Sequence, residues 1–326
     1  MSKISCPHCA GNINIPEQSN TVVCSYCGTT VQVRTGEIIK ESYLMKLQFN
    51  LEAIREKTFS WAAKQLGSPD DIEEKAEIIE SELVYWPFWV VEVEAKGEYK
   101  GEQKIPNFGD SAGLTKMGWK TVSEAGKFNM EEDIFVPATK DIPEQLETYM
   151  IPTKRKEYFD KDLVLETRGN LQPIQVERET AIIDAKKMMD KILRAEAYEE
   201  VDEIKEFDVD LSIPAVFLVH IPIWYIRYKY SVRTYHAMID GASGRIVTLS
   251  FPRKIAFRAM VFTGGILHLV VGGGIALVLV YLGIIVFGNI IFPTLFGATF
   301  GLGMLAFALQ FFRKAVTLGE EEEIAS

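Results

Sequence analysis

Charge is missing from one long stretch of this chain. Between Ala259 and Phe312 there is no Asp, Glu, Lys or Arg, which excludes a solvated surface for that segment. Cysteine is missing after position 27, so no disulfide framework can staple the body. A basic excess is missing too. The net charge is −10, and residues 1–258 hold 33 basic against 41 acidic side chains. That balance argues against broad nucleic-acid binding, which needs a basic face. The hydrolase elbow G-x-S-x-G, the zinc-protease H-E-x-x-H, the Walker A loop and the dinucleotide fingerprint G-x-G-x-x-G are all missing. No catalytic constellation is left to name, and the expectation is a chain that is not an enzyme. The start, "MSKISCPHCA", lacks the apolar core of a signal peptide. The N-terminus is therefore expected in the cytosol, where thiols stay reduced and paired Cys motifs bind metal.

What the sequence does hold begins with four cysteines, Cys6, Cys9, Cys24 and Cys27, with none left over. Their spacing is Cys-x2-Cys-x14-Cys-x2-Cys, one residue short of the usual zinc-ribbon window but of the same form. Two residues between ligands let a tight turn aim both thiolates at one ion. Four thiolates close a tetrahedron around Zn²⁺, so the expected site is one structural zinc, with no position open for catalytic water. Two local disulfides are the competing reading, and iron the competing metal. Gly11 and Gly28 suit the positive φ of such turns. "NINI" and "NTVV" can pair as a hairpin, with "TTVQV" as a third strand. His8 reads as an exposed residue of the first knuckle. The segment 1–40 is too short to bury a core, so metal would supply its folding energy.

The charge-free stretch divides into Val261–Phe287 and Ile290–Phe312, 27 and 23 residues long. About 20 apolar residues span a bilayer core. "GN" at 288–289 is the turn of the expected transmembrane hairpin, and Pro293 falls early in the second helix. Arg253, Lys254 and Arg258 flank one outer end, Arg313 and Lys314 the other. The positive-inside rule then puts both termini in the cytoplasm of a two-span cell-membrane protein. Gly272, Gly273, Gly274, Gly297 and Gly301 allow close helix packing, within the hairpin or in a homo-oligomer. His268 is the one readily ionisable group inside the spans. The tail from 313 to 326, ending "GEEEEIAS", reads as solvated and acidic.

The region 41–255 reads as an α+β domain of two related halves, around 50–100 and 180–250. "YWPFWVVEVEAKGEY" and "HIPIWYIRYKYSVRTY" align at an offset of 135, matching Pro87 with Pro222 and Trp89 with Trp224. Both alternate with period two and open on proline, as strands can. "DGASG" at 240–244 connects two further strands. Helices are expected over Leu51–Leu66, with Leu51, Ile54, Phe59, Ala62 and Leu66 on one side, and over Glu177–Ile204. The latter's stripe is Ala181, Ala185, Met188, Met189, Ile192 and Leu193. "SPDDIEEKAEIIES" has a capping-type start, and "KIPNFGDSAGLTKMGWKT" is a loop or hairpin. Trp86, Trp89 and Trp224 read as core rather than as a ligand cage, and His220 and His236 as structural.

The order of parts resembles a group of bacterial and archaeal membrane proteins with an N-terminal zinc ribbon of the transcription-factor-IIB type, loosely labelled replication-restart-helicase-like. The residues carrying the resemblance are "CPHC…CSYCG", "YWPFWVVEVE", "DIFVPAT", "RGNLQPIQVERETA" and "IPIWYIRYKYSVRTYHAMIDGASGRI", followed by the apolar pair. "YSVRTY" departs from the Gly- and Lys-containing turn typical there. The resemblance implies architecture rather than activity, and a chain without an ATP motif is not such a helicase. The expected function is a membrane-anchored scaffold or adaptor whose partners are the lipid bilayer and another protein. The alternatives are a membrane-tethered nucleic-acid regulator and an enzyme using Glu92, Arg227 and His236 in a pocket between the halves.

Overall fold

A computed structural model describes residues 3–15, 19, 21–111, 114–147, 149–151, 156–287, 291–317 and 322–323 of the chain. In chain order the elements are β1 (Lys3–Ser5), β2 (Asn12–Asn14), β3 (Thr21–Val23), β4 (Thr30–Gln32), β5 (Ser42–Met45), α1 (Leu51–Ala63), α2 (Ile72–Lys75), β6 (Glu77–Ser111) and β7 (Leu114–Pro137). There follow α3 (Glu144–Glu147), β8 (Lys156–Tyr158), α4 (Lys161–Glu166), β9 (Asn170–Leu171), α5 (Arg178–Glu200), β10 (Glu203–Ser212), β11 (Val216–Tyr230), β12 (Arg233–Asp240), β13 (Ile246–Leu249), α6 (Ile255–Phe287), α7 (Ile291–Thr317) and β14 (Glu322–Glu323). Two compact units form. The first comprises Met1–Gln48, Glu82–Ile223 and Asp240–Ser243; the second comprises Phe49–Ser81, Trp224–Ile239 and Gly244–Ser326.

In the first unit β6 lies between β7 and β10, antiparallel to both, with registers Phe88↔Pro137 through Ser111↔Leu114 and Glu94↔Ser212 through Glu102↔Glu203. Helix α5 covers this sheet with Ala181, Ala185, Met189, Leu193 and Ala197, all buried among Trp89, Val91, Val93 and Phe128. Steps of four put these residues in one row, and the three alanines let the helix lie close. Met188 and Ile192, expected in the same stripe, are 39% and 41% exposed. They sit one step around the helix, beyond the row in contact. The Trp89 indole donates to the Val176 carbonyl at 2.9 Å, so a buried polar atom is satisfied.

The helix expected over Glu177–Ile204 ends at Glu200 instead. Val201 is extended, and Glu203–Ser212 is strand β10. From Phe207 onward Phe207, Val209 and Leu211 alternate with acids, and a strand buries that pattern against the core where a helix would scatter it. The prolines differ from expectation as well. β6 begins ten residues before Pro87 and β11 six before Pro222, so neither opens its strand. Pro87 lies one residue outside the β6–β7 register, which stops at Phe88, and Pro222 two residues beyond the β5–β11 register, which stops at His220. Within "KIPNFGDSAGLTKMGWKT", Lys104–Ser111 pairs with Leu114–Thr121 as the far end of the β6–β7 pair, and residues 112 and 113 lie outside the described residues.

In the second unit α1 buries Ile54, Thr58, Phe59 and Ala62. They pack on Tyr228, Tyr235, Ile239, Ile246 and Leu249. Asn50 caps the helix, its Oδ1 accepting from the Ala53 N–H at 3.0 Å. The helix stops at Ala63, three residues short of expectation, and Leu66 is 74% exposed. "SPDDIEEK" yields only the four-residue α2, whose Asp71 makes no side-chain cap, because "EIIES" already belongs to β6. Strands β12 and β13 are antiparallel on either side of "DGASG", whose Asp240–Ser243 belongs to the first unit, and Gly244 has φ +70°.

Two helices in this unit are long and apolar enough to cross a membrane: Phe257–Val286 and Thr294–Arg313, with 11% of the most apolar window of each buried. A core helix of a soluble protein would be mostly covered, and these are not. α6 starts four residues before the charge-free run, and its 33 residues measure about 50 Å at 1.5 Å each. That exceeds the roughly 30 Å hydrocarbon core. A Cβ on Gly272 would come within 2.7 Å of Met304, and one on Gly297 would strike Val280, so these glycines serve the α6–α7 contact. Gly273 and Gly274 have nothing within 4 Å. α7 runs on to Thr317, so the tail begins as helix; beyond that only Glu322 and Glu323 are described, paired with β13.

Candidate metal centre

Each cysteine pair sits in the turn of its own hairpin. β1 pairs β2 around Cys6 and Cys9, and β3 pairs β4 around Cys24 and Cys27. This differs from the expected pairing of "NINI" with "NTVV". A Cys-x-x-Cys turn reverses the chain, so the strands it joins are the ones that pair. The two knuckles use the same hydrogen bonds. Cys6 N donates to Gly11 O at 2.8 Å and Ala10 N to Cys6 O at 2.9 Å. Cys24 N donates to Thr29 O at 2.9 Å and Gly28 N to Cys24 O at 3.0 Å. The residue after the second cysteine is left-handed in both, Ala10 at φ 60° and Gly28 at 74°. Gly11 is therefore not the left-handed position of the first knuckle. It is small because a Cβ there would strike the Tyr26 ring.

The four Sγ atoms all lie within 4.8 Å of one another. Cys6–Cys27 and Cys9–Cys24 are each 3.7 Å apart. A tetrahedron with metal–sulfur distances of about 2.3 Å has edges of about 3.8 Å, so the donor set fits one thiolate-bound ion. All four thiols are free, and 3.7 Å is far beyond a disulfide's roughly 2.05 Å. Cys6 and Cys24 are buried, with Cys9 and Cys27 exposed. The Tyr26 N–H points to Cys24 Sγ at 3.4 Å, and the Thr29 hydroxyl lies 3.2 Å from Cys27 Sγ. Hydrogen bonds from the Thr29 side chain and backbone lower the Cys27 thiol to about 5. His8 is exposed.

The ribbon packs on the rest of the first unit. Thr21 N donates to Ile174 O at 3.3 Å, and Lys161 Nζ donates to the Ser25 carbonyl at 2.5 Å. The other residues singled out in the sequence are divided between the two units. Trp89 is core, and Trp224 belongs to the second unit, its Nε1 donating to Phe49 O at 3.0 Å. Trp86 is buried. His236 is exposed on β12, its N–H bonded to Ser250 Oγ at 2.7 Å. Arg227 pairs with Glu80. Glu92 belongs to the first unit, beside Glu131, Glu132 and Asp133. In α6, His268 Nδ1 lies 3.0 Å from the Gly264 carbonyl, and its ring stacks on Phe311 at 5.0 Å. His220, fully buried in β11, lines a cavity that sequence reasoning missed. No sequence signal marks it, because the cavity walls come from three distant segments.

Compared with family models, with curated proteins and with solved structures, the chain has no match.

Proposed function

We propose that the chain is a membrane-anchored zinc-ribbon protein, a scaffold or adaptor that holds a protein partner at the cytosolic face. The observation that carries this reading is the pairing of a closed four-thiol set at one end of the chain with two exposed apolar helices at the other. Four thiolates leave a metal no position for substrate or water, so the ion's role is to fold the ribbon. The resemblance to zinc-ribbon membrane proteins belongs to the same reading, as does a cytosolic location for both termini.

The docking element in this reading is the β6–β7 arm. β10 accompanies β6 only as far as Glu102, while the hairpin runs on to Ser111. Past that point the described residues give the arm no third strand, and a two-stranded ribbon is marginal alone. It carries Trp119, 70% exposed. Exposed aromatics on an unpaired edge suit a protein contact. A photo-crosslinking amino acid at position 119 in native membranes tests this. Recovery of one discrete adduct, absent when the probe sits at Val232 in its exposed turn, supports the reading. Identical background patterns at both positions overturn it.

A further inference from the structure

The first unit contains a cavity of about 290 Å³ beside the ribbon. Its walls are Asn14 of β2, Thr21, Val22 and Val23 of β3, the segment Leu171–Ile174 and His220 of β11, with Ser19 at the start of the ribbon's second half. Thr21 N donates to Ile174 O at 3.3 Å, so two of these walls are tied directly. Among the described lining residues none is charged. A volume near 300 Å³ is at the small end of ligand pockets.

Two polar atoms here are unexplained. The Nε2 of His220 and the Oγ of Ser19 are buried and make no hydrogen bond. Buried polar groups are nearly always paired, and an orphan calls for a cause. The tautomer of His220 follows from its one partner. Nδ1 lies 3.3 Å from the Tyr43 carbonyl, which can only accept. Nδ1 therefore carries the hydrogen, and Nε2 offers a lone pair. Burial keeps the ring neutral by lowering its pKa to about 4. The site thus presents one unpaired acceptor and one unpaired hydroxyl that can donate or accept, beside the polar residues Asn14, Thr21 and Gln172 and apolar walls from Val22, Val23, Leu171 and Ile174.

We propose that this cavity binds a small uncharged molecule that donates one hydrogen bond, an alcohol or phenol, to His220 Nε2, with Ser19 Oγ as the second contact. A charged ligand is excluded by the absence of a countercharge on the described lining. A pure hydrocarbon would leave both polar atoms unpaired.

Phenol and toluene form the test pair, because they share shape and differ in the hydroxyl. The full chain is labelled with [¹⁵N]histidine, and the His220 Nε2 resonance, assigned with His220→Phe, is followed by NMR. The expected result is a saturable shift with phenol and none with toluene. Ser19→Ala, which removes one hydroxyl from the wall, is expected to weaken phenol by about three- to tenfold, the usual range for one neutral hydrogen bond. A His220 resonance that phenol leaves unmoved up to its solubility means a cavity holding water only, and overturns the proposal. Equal responses to phenol and toluene overturn it as well, as does a Ser19→Ala chain binding phenol with unchanged affinity.

Discussion

The hydroxyl of Tyr149 donates to Asp240 Oδ2 at 2.8 Å across 91 residues of sequence. Asp240 is fully buried, and it also accepts from Ala242 N at 2.8 Å and from the Ser243 hydroxyl at 2.5 Å. The aspartate of "DGASG" therefore shapes its own turn and anchors a distant tyrosine. Replacing Asp240 by Ala removes the shared acceptor of these three hydrogen bonds, each worth about 1 kcal/mol or more at a buried site. The Asp240→Ala chain is expected to lose roughly 3 kcal/mol or more, read as a lower urea midpoint by pulse proteolysis in detergent. Tyr149→Phe, which removes a single donor, is expected to lose about 1 kcal/mol. Equal losses in the two variants would count against this arrangement.

His220 links stability to pH. Its folded pKa is depressed to about 4 by burial, whereas an unfolded histidine titrates near 6.5. Between those values the unfolded chain binds the extra proton, so stability falls as pH falls. The full contribution stands above pH 6.5 and is lost on the way down to about pH 4, on the order of 3 kcal/mol in all. Urea midpoints measured from pH 7 to 4.5 should decline more steeply in the natural chain than in His220→Phe. Parallel curves would refute the buried neutral state.

One zinc per chain is the expected metal content of purified material, measured by elemental analysis under reducing conditions. Cys6→Ser and Cys24→Ser each remove a buried ligand and are expected to abolish stoichiometric metal. Chelation should expose residues 1–40 to protease before the rest of the chain. Stoichiometric iron would correct the metal; absence of any metal would remove the centre.

Gly97 on β6 is opposite both Val209 of β10 and Phe128 of β7. A Cβ at that position would overlap the backbone of Asp208 and come within 2.6 Å of the Val209 Cα. A backbone neighbour cannot swing away as a flexible side chain can, so the strands must part. Gly97→Ala is expected to cost about 1–3 kcal/mol as an overpacking change, measured by the same urea series. Gly36→Ala, at a glycine with open space but φ +73°, supplies the comparison for strain without collision.

Topology is tested at Cys9 and Cys27, the two exposed thiols. A membrane-impermeant maleimide, with chelator present, is expected to label them only after the cells are permeabilised. Labelling in intact cells would reverse the orientation.

The cysteine set was readable because a two-residue spacing aims thiolates locally. The apolar pair was readable because bilayer thickness sets a length that composition meets. Ile54, Phe59 and Ala62 were legible by period, as were Ala181, Ala185, Met189 and Leu193. Leu66 was misread because periodicity does not say where a helix stops. Ile204 was misread because a short apolar-polar pattern fits either period until a neighbouring strand claims it. In Ala10 the backbone adopts a left-handed φ without glycine, a choice that the knuckle's hydrogen bonds impose.

By itself the sequence determined which residues could bind a metal and which could not face water, since ligand chemistry and hydration are properties of the side chains themselves. The tertiary structure alone decided which strands pair around those cysteines, and that Asp240 meets Tyr149. It alone brought His220, Ser19 and Ile174 to one cavity. Such contacts join residues far apart in the chain, and they are selected by packing and hydrogen-bond satisfaction across the whole fold.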